Sequence, residues 1–224
     1  VRNNVVSLAK SLGYTPRSVK SSSSEITLNG VSSLSNVILP RGTVFKGGTY
    51  SFVTLTDYTA PVENGTISSV LKVYEGKLLS HRYTVTHADQ IFEIPNKFCD
   101  TNTVRVTVYE SSESTVSKTF TFSDNIIDSI GTSDIFFIQE GSDEKHEIYF
   151  GDDILGTKLD VGNIVEISYL KTSGPDANDI STFTMQSGIT GLTSVTITNP
   201  TKSVGGANIE SIESIKKNAP YVYT

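Results

Sequence analysis

From Thr103 to Tyr109 the chain reads TVRVTVY, with Val104, Val106 and Val108 alternating with Arg105, Thr107 and Tyr109. A period of two puts the valines on one strand face and the polar residues on the other, as in an antiparallel sheet with one buried face. The period recurs along the chain. Ile26 and Leu28 alternate with polar neighbours, and Val37–Leu39 stops at Pro40, which has no N–H to give a ladder. Arg41-Gly42 turns into Thr43–Lys46, and Gly47-Gly48 into Thr49–Leu55, where Tyr50 and Phe52 share one face and Val53 and Leu55 the other. Ile67–Tyr74 and Leu78–Val85 flank Glu75-Gly76 and read as a tight hairpin. Ile91–Ile94, Val116–Phe122, Asp134–Glu140, Ser181–Met185 and Val195–Thr198 are further strands, with Phe120 and Phe122 placed on one face. Asp57–Gly65, holding Pro61 and Asn64-Gly65, reads as a loop, and Ser123–Ser133 as a helical turn or a join between β units. Turn signals every ~8–12 residues are the pattern of an all-β sandwich or barrel.

At both ends the period changes. Val1, Val5, Leu8 and Leu12 mark one face of a helix, Gly13 suits its C-cap and Pro16 blocks continuation. Arg17–Ser24 reads as a Ser-rich connector with solvated charges. Gly205-Gly206 reads as a hinge before a second helix over Ile209–Asn218, with Asn208 as N-cap, Glu210 and Glu213 at its positive end, Lys216 and Lys217 at its negative end, and Pro220 as terminator. Ile209, Ile212 and Ala219, with Ile215 beside them, mark its apolar face. The expected fold is therefore mainly β: antiparallel sandwich or meander units with a short α-helix at each end. The division that follows is 1–24 as helix and connector, 25–125 as a first β unit, 126–204 as a second with a hairpin at 146–170, and 205–224 as hinge and helix. The two β units could equally be one domain.

Composition bounds the function. A chain of 224 residues can bury a core without disulfides or metals, and ten Tyr and ten Phe supply bulk for it. A net charge of −6 with interspersed signs lacks the basic footprint that a phosphate backbone needs, so no nucleic-acid partner is expected. The single cysteine, Cys99, cannot form an intrachain disulfide. No apolar run approaches the ~20 residues of a membrane helix, and Arg2, Asn3, Asn4 and Lys10 interrupt any signal-peptide pattern. The chain opens on Val rather than Met and reads as a fragment of a longer protein.

Few residues point to chemistry. His81 and His87 lie too far apart along an extended chain to share a metal, and His146 reads as a strand-face histidine. Asp143, Glu144, Asp152, Asp153 and Asp160 form the densest acidic stretch, but their order does not fit a calcium loop, and Asp152 after Gly151 suits a turn. Cys99 has no activating base nearby in sequence, and the G-x-S-x-G and phosphate-cradle patterns are absent. No catalytic group, metal or cofactor is expected.

The stretch His146–Asn178 carries a resemblance. It runs Phe150-Gly151-Asp152, a short polar loop, a turn at Gly162, an apolar strand through Tyr169, then Gly174-Pro175-Asp176-Ala177-Asn178. This pattern is similar to the baseplate J and T4-like baseplate wedge family of contractile phage tails. Three further pieces agree in order: Asn3–Tyr14 before Thr15-Pro16; Ile38–Thr43 with Phe45, holding Pro40 and Gly42; and Ser203–Pro220, holding Gly205 and Gly206. The resemblance spans residues 3 to 220 and is weakest over Val44–Phe136.

It implies a structural subunit of a baseplate wedge, located in the virion tail and assembled in the host cytoplasm. Its partners would be other wedge subunits and copies of itself, with no nucleic acid and no membrane. The helix after Gly205-Gly206 is the piece expected to reorient. Read without the resemblance, the Thr/Ser-rich strands and acidic balance also fit a cell-surface adhesin or carbohydrate-binding β-sandwich. A hydrolase with two carboxylates brought together by the fold is a third reading.

Overall fold

A computed structural model describes residues 1–123 and 133–221. The join read over Ser123–Ser133, with its Ile126-Ile127 pair, lies outside the described residues apart from its two ends. In chain order the strands are β1 (Ser23–Val31), β2 (Asn36–Leu39), β3 (Val44–Gly47), β4 (Tyr50–Val53), β5 (Tyr58–Pro61), β6 (Thr66–Glu75), β7 (Lys77–Thr84) and β8 (Phe92–Ile94). They continue with β9 (Cys99–Tyr109), β10 (Ser117–Phe122), β11 (Ile135–Glu140), β12 (His146–Phe150), β13 (Ile164–Lys171), β14 (Phe183–Met185) and β15 (Thr193–Thr198). Helix α1 covers Arg2–Ser11 and α2 covers Ile212–Asn218. The protein is mainly β, with antiparallel sheets and a helix at each end.

The strands form two compact units, neither continuous in sequence. A terminal unit comprises Val1–Ser18, Leu79–Tyr169 and Ile209–Thr224, and an inserted unit Val19–Leu78 and Leu170–Asn208. Strand pairing is spatial, so the linear division at 125 and 204 does not coincide with them.

In the inserted unit a six-stranded sheet runs β14-β3-β4-β6-β1-β15, beside a two-stranded β2-β5 ribbon. β1 pairs with β6 along its whole length, from Ser23 opposite Tyr74 to Val31 opposite Thr66. Period-two burial directs Ile26, Leu28, Phe45, Phe52, Leu71 and Val73 into one core. Phe52 and Phe183 meet edge to face at 5.0 Å. Burying each such side chain contributes roughly 1.5–3 kcal/mol. The end strands β14 and β15 approach within 8 Å between Cα atoms, so the sheet curls and shields its edges.

In the terminal unit seven strands run β7-β13-β9-β10-β11-β12-β8. β10 and β11 are the parallel pair, Thr121 opposite Ile135. Val106, Phe120, Phe136, Ile148, Ile167 and Tyr169 share the core, as the alternation in Thr103–Tyr109 requires. This sheet curls too. Tyr83 on β7 meets the Phe92 ring on β8 at 5.7 Å and donates its hydroxyl to the Glu93 carbonyl at 2.6 Å.

α1 ends in the Schellman arrangement that Gly13 promised. The Gly13 N–H bonds the Lys10 carbonyl, the Tyr14 N–H bonds that of Ala9, and Gly13 sits at φ +77°. Its buried face differs from the expected one. Val6 and Ala9 are buried against Ile215 and Ala219 of the other terminal segment, while Leu8 stays 66% exposed and Val1 93%. The small Ala9 permits a close approach to Ile215 and Ala219. α2 starts later than expected: Ser211, not Asn208, caps it, its hydroxyl accepting from the Ser214 N–H at 3.1 Å.

Four further expectations are corrected. Ile67–Tyr74 and Leu78–Val85 are not a hairpin; β6 lies between β4 and β1 whereas β7 pairs with β13. Gly76 takes φ +136°, a value open to glycine, and its N–H bonds the Ser51 carbonyl, so the chain leaves the sheet rather than folding back. Likewise 146–170 is not a hairpin, because β9, β10 and β11 stand between β12 and β13. Asp57–Gly65 contains β5, which pairs with β2 and places Pro61 at its end. Arg17–Ser24 is no flexible linker: Ser18, Ser21, Ser22 and Ser24 are buried and hydrogen-bonded, Ser24 to the Thr201 carbonyl at 2.7 Å. Of the two phenylalanines placed on one face of β10, Phe120 is buried and Phe122 is half exposed.

At Gly76 a β-carbon would fall 2.7 Å from the Lys171 carbonyl oxygen. Gly76→Ala therefore combines a clash with a disfavoured φ and should destabilise the protein by roughly 1–3 kcal/mol. Urea unfolding followed by far-UV circular dichroism checks it.

Candidate functional site

The residues singled out by sequence gather at three places. In the inserted unit, Gly174, Asn178, Gly205 and Gly206 converge. Gly174 begins a single 3-10 turn (Gly174–Ala177) at φ +65°. The Asn178 carboxamide then clamps Gly206, accepting from its N–H at 3.0 Å and donating to its carbonyl at 3.1 Å, while Ser22 donates to the same Oδ1 at 2.9 Å. A side chain at Gly206 would strike the Gly174 backbone. Gly206 is therefore a close-packing residue, while Gly205, at φ +88°, has open space beside it. Below the turn, buried Glu75 accepts from the Thr172 hydroxyl at 2.6 Å and the Ser173 N–H at 2.9 Å. Ser203 donates to the Ala177 carbonyl at 2.6 Å and accepts from the Ile180 N–H. Pro40 and Gly42 lie apart from this cluster. The Pro40 carbonyl accepts from the Thr43 and Thr54 hydroxyls at 2.7 and 2.9 Å, and Gly42 turns at φ +87°.

In the terminal unit, Phe150 packs edge to face on Phe92 and Phe120 at 5.7 and 5.3 Å. Gly151 lets the Gly156 carbonyl approach. Asp152 accepts from the Leu155 and Ile154 N–H groups, both at 3.0 Å, which holds its carboxyl below the usual value. Asp152 is thus a turn residue. Gly162 turns at φ +97° and donates to the Val85 carbonyl. Tyr169 is fully buried, its hydroxyl accepting from Asn96 at 2.7 Å, with His81 stacked on its ring at 5.9 Å.

The third place joins the chain ends of the terminal unit and was only half legible. Arg2 grips the buried Glu140 carboxylate through Nε at 2.6 Å and Nη2 at 2.9 Å, and its Nη1 donates to the Glu210 carbonyl at 2.6 Å. The Glu210 carboxylate, 5% exposed, accepts from Tyr14 Oη at 2.7 Å, the Arg17 N–H at 3.0 Å, Ser214 Oγ at 2.6 Å and Asn218. Burial alone would raise its pKa; these donors outweigh that and hold it below the ordinary carboxylate value. Sequence patterning assigned Glu210 to the helix dipole, because nothing local marks a carboxylate that collects donors from residues 14 and 17. Pro220 lies past α2 on the rim of a shallow apolar groove with Leu8, Leu12, Ile215 and Ala219.

Reactive groups are muted. Cys99 is buried and its thiol pushed well up, first by desolvation and then by Asp100, so little thiolate forms near neutrality. His87 contacts Thr86 at 3.0 Å on the surface. His146 lies on strand β12, as the strand-face reading has it, and is buried at 1% exposure rather than on the surface. Among the described residues no three His, Cys, Asp or Glu side chains gather as a metal would require, and no helix is long and apolar enough to cross a membrane.

No known family profile matches the chain. Against curated proteins it is 26% identical over 249 aligned positions to "Baseplate wedge protein gp6" of Enterobacteria phage T4. The similarity is to a baseplate wedge protein. It covers 97% of this chain, and the chain spans about 37% of the length of that relative. A baseplate wedge-like relationship agrees with the mainly β architecture and with the order of the sequence pieces noted above.

Two outcomes test this geometry. Asn178→Ala strands the Gly206 N–H and the Ser22 hydroxyl, and should destabilise by roughly 2–3 kcal/mol in urea unfolding. Glu210 has a folded-state pKa below its unfolded value, so its contribution is present above pH ~4.5 and lost as pH falls through the lowered value. Thermal midpoints should drop below pH ~4.5 in the native chain, and Glu210→Gln should flatten that drop while lowering stability at pH 7.

Proposed function

We propose that this chain is a structural part of a phage tail baseplate wedge, acting through protein–protein interfaces in assembly and in the rearrangement of the contractile tail. The similarity to the phage T4 wedge protein over 97% of the chain carries the reading. The fold supports it physically. Each unit is built on a curled sheet, and glycine-packed turns in the inserted unit and the Arg2–Glu140 junction in the terminal unit fix the surfaces each presents. Its partners are other wedge subunits, and copies of the same chain in the assembled ring. Its location is the virion tail baseplate, with assembly in the host cytoplasm. Cys99 withheld from the thiolate state and carboxylates spent on turns and junctions fit a role without bond-making chemistry.

Co-expression of the tagged chain with the wedge subunits encoded beside it should recover at least one of them through affinity purification and gel filtration as a stable complex. Antibody against the chain should label intact virions at the tail end distal to the capsid. Recovery of the chain alone, with labelling elsewhere or nowhere on the particle, would remove the proposal.

A further inference from the structure

His146 is the one buried polar side chain among the described residues whose atoms lack any hydrogen-bond partner: neither Nδ1 nor Nε2 has one. Such a group costs free energy that an apolar residue at the same place would not. Its surroundings give that cost a use. From α1, the positive charges of Arg2 and Lys10 act on the ring, and Arg2 is bound to Glu140. On β11, Glu140 stands directly opposite it across the ladder, and on β8 its partner is apolar Ile94. Its strand neighbours are engaged elsewhere, Lys145 with Glu93 at 2.6 Å and Glu147 with Gln139 at 3.0 Å. The Glu210 carboxylate is held by Tyr14 and Ser214. Glu140 is thus the carboxylate paired with His146 across the ladder, and Arg2 occupies both of its oxygens.

We propose that His146 is an acid-sensitive latch: protonation gives it two N–H donors beside Arg2 and Lys10, draws Glu140 away from Arg2, and frees helix α1 from the sheet. α1 is suited to release. It has ten residues and no side-chain N-cap, and it buries only Val6 and Ala9, so it is marginal without its anchor. Breaking a buried pair by withdrawing one partner is strongly unfavourable for the ion left behind, so Arg2 leaves for solvent with the helix. Burial, then Arg2 and Lys10, hold the ring down from 6.5 to about 4 in the docked state. A ring exposed by undocking regains its ordinary affinity for protons. The sign follows: docking is complete above the ordinary imidazole value, and the open-to-docked ratio rises about tenfold for each pH unit below it, down to the buried value.

Hydrogen–deuterium exchange of α1 amides at pH 7.5 and 5.0, corrected for intrinsic exchange rates, tests this in the full chain. Both values lie above the range in which Glu210 titrates. Protection of α1 should fall at least tenfold at pH 5.0 while β6 amides keep theirs, and His146→Phe should keep α1 protected at both values. Unchanged α1 protection in the native chain, or the same fall in His146→Phe, overturns the latch. Should His146→Phe fail to fold, Arg2→Met takes its place: α1 protection low and equal at both values supports the latch, and a persisting pH dependence overturns it.

Discussion

The bidentate grip of Arg2 on Glu140, extended to the Glu210 carbonyl, is the interaction on which the terminal unit depends. That unit is assembled from three stretches far apart in sequence, and one guanidinium touches all three: its own helix, β11 and the segment leading to α2. Three such stretches have no covalent reason to stay together. Loop-closure entropy must be offset by contacts of long sequence separation. The apolar contribution at this corner is small, since among the described residues Val6, Ala9, Ile215 and Ala219 are its buried hydrophobic side chains. Charge and hydrogen bonding therefore carry a share of the docking that packing carries elsewhere. A buried ion pair is poor evidence of net stability, because desolvation offsets attraction. What it supplies is a single geometry, as the seven NH and OH donors converging on Glu140 and Glu210 require.

The inserted unit solves the same problem by backbone proximity. Gly174, Gly206 and the Asn178 carboxamide interlock with no room for a β-carbon, and Ser22, Thr172, Ser203 and Glu75 satisfy the polar groups that such crowding buries. A Ser- and Thr-rich chain with only moderate apolar content can close a loop-dense region this way. Short hydroxyls reach backbone carbonyls within one turn and lose little rotamer entropy in doing so.

Local features were legible and pairings were not. Alternation at Thr103–Tyr109 located β9 and its buried face, Gly13 located the end of α1, and Pro40 the end of β2, because each is decided by a residue and its immediate neighbours. The Glu75-Gly76 pair has hairpin chemistry, yet Gly76 serves a crossing. The same glycine freedom permits either path, and the Ser51 and Lys171 carbonyls that decide it are distant in sequence. β12 and β13 failed as a hairpin for a related reason: thirteen residues bent by Asp152 and Gly151 separate them, enough for the chain to reach the other side of the sheet. In α1 the apolar stripe through Leu8 was the better helical pattern, but the small Ala9 set the buried side. Of the residues named in advance, Gly174, Asn178 and Gly206 meet in one clamp, whereas Pro40, Gly162, Tyr169 and Pro220 hold separate turns or packing sites. The buried roles of Glu210, Arg2 and His146 were not legible, because burial of a polar residue leaves no mark on its own sequence neighbourhood.

The two ways of closing a unit differ in what they allow afterwards. A clamp made of glycine backbones and a carboxamide has no titratable member, so solvent acidity leaves it alone; Asn178 binds Gly206 equally at any pH at which the chain is folded. A junction made of Arg2, Glu140 and Glu210 beside an unpartnered His146 is electrostatic throughout, and Glu210 and His146 can change charge under acid. The inserted unit keeps its turns under conditions that loosen the first helix, so the segment that can move is the one carrying exposed Leu8 and Val1 rather than the body that bears them.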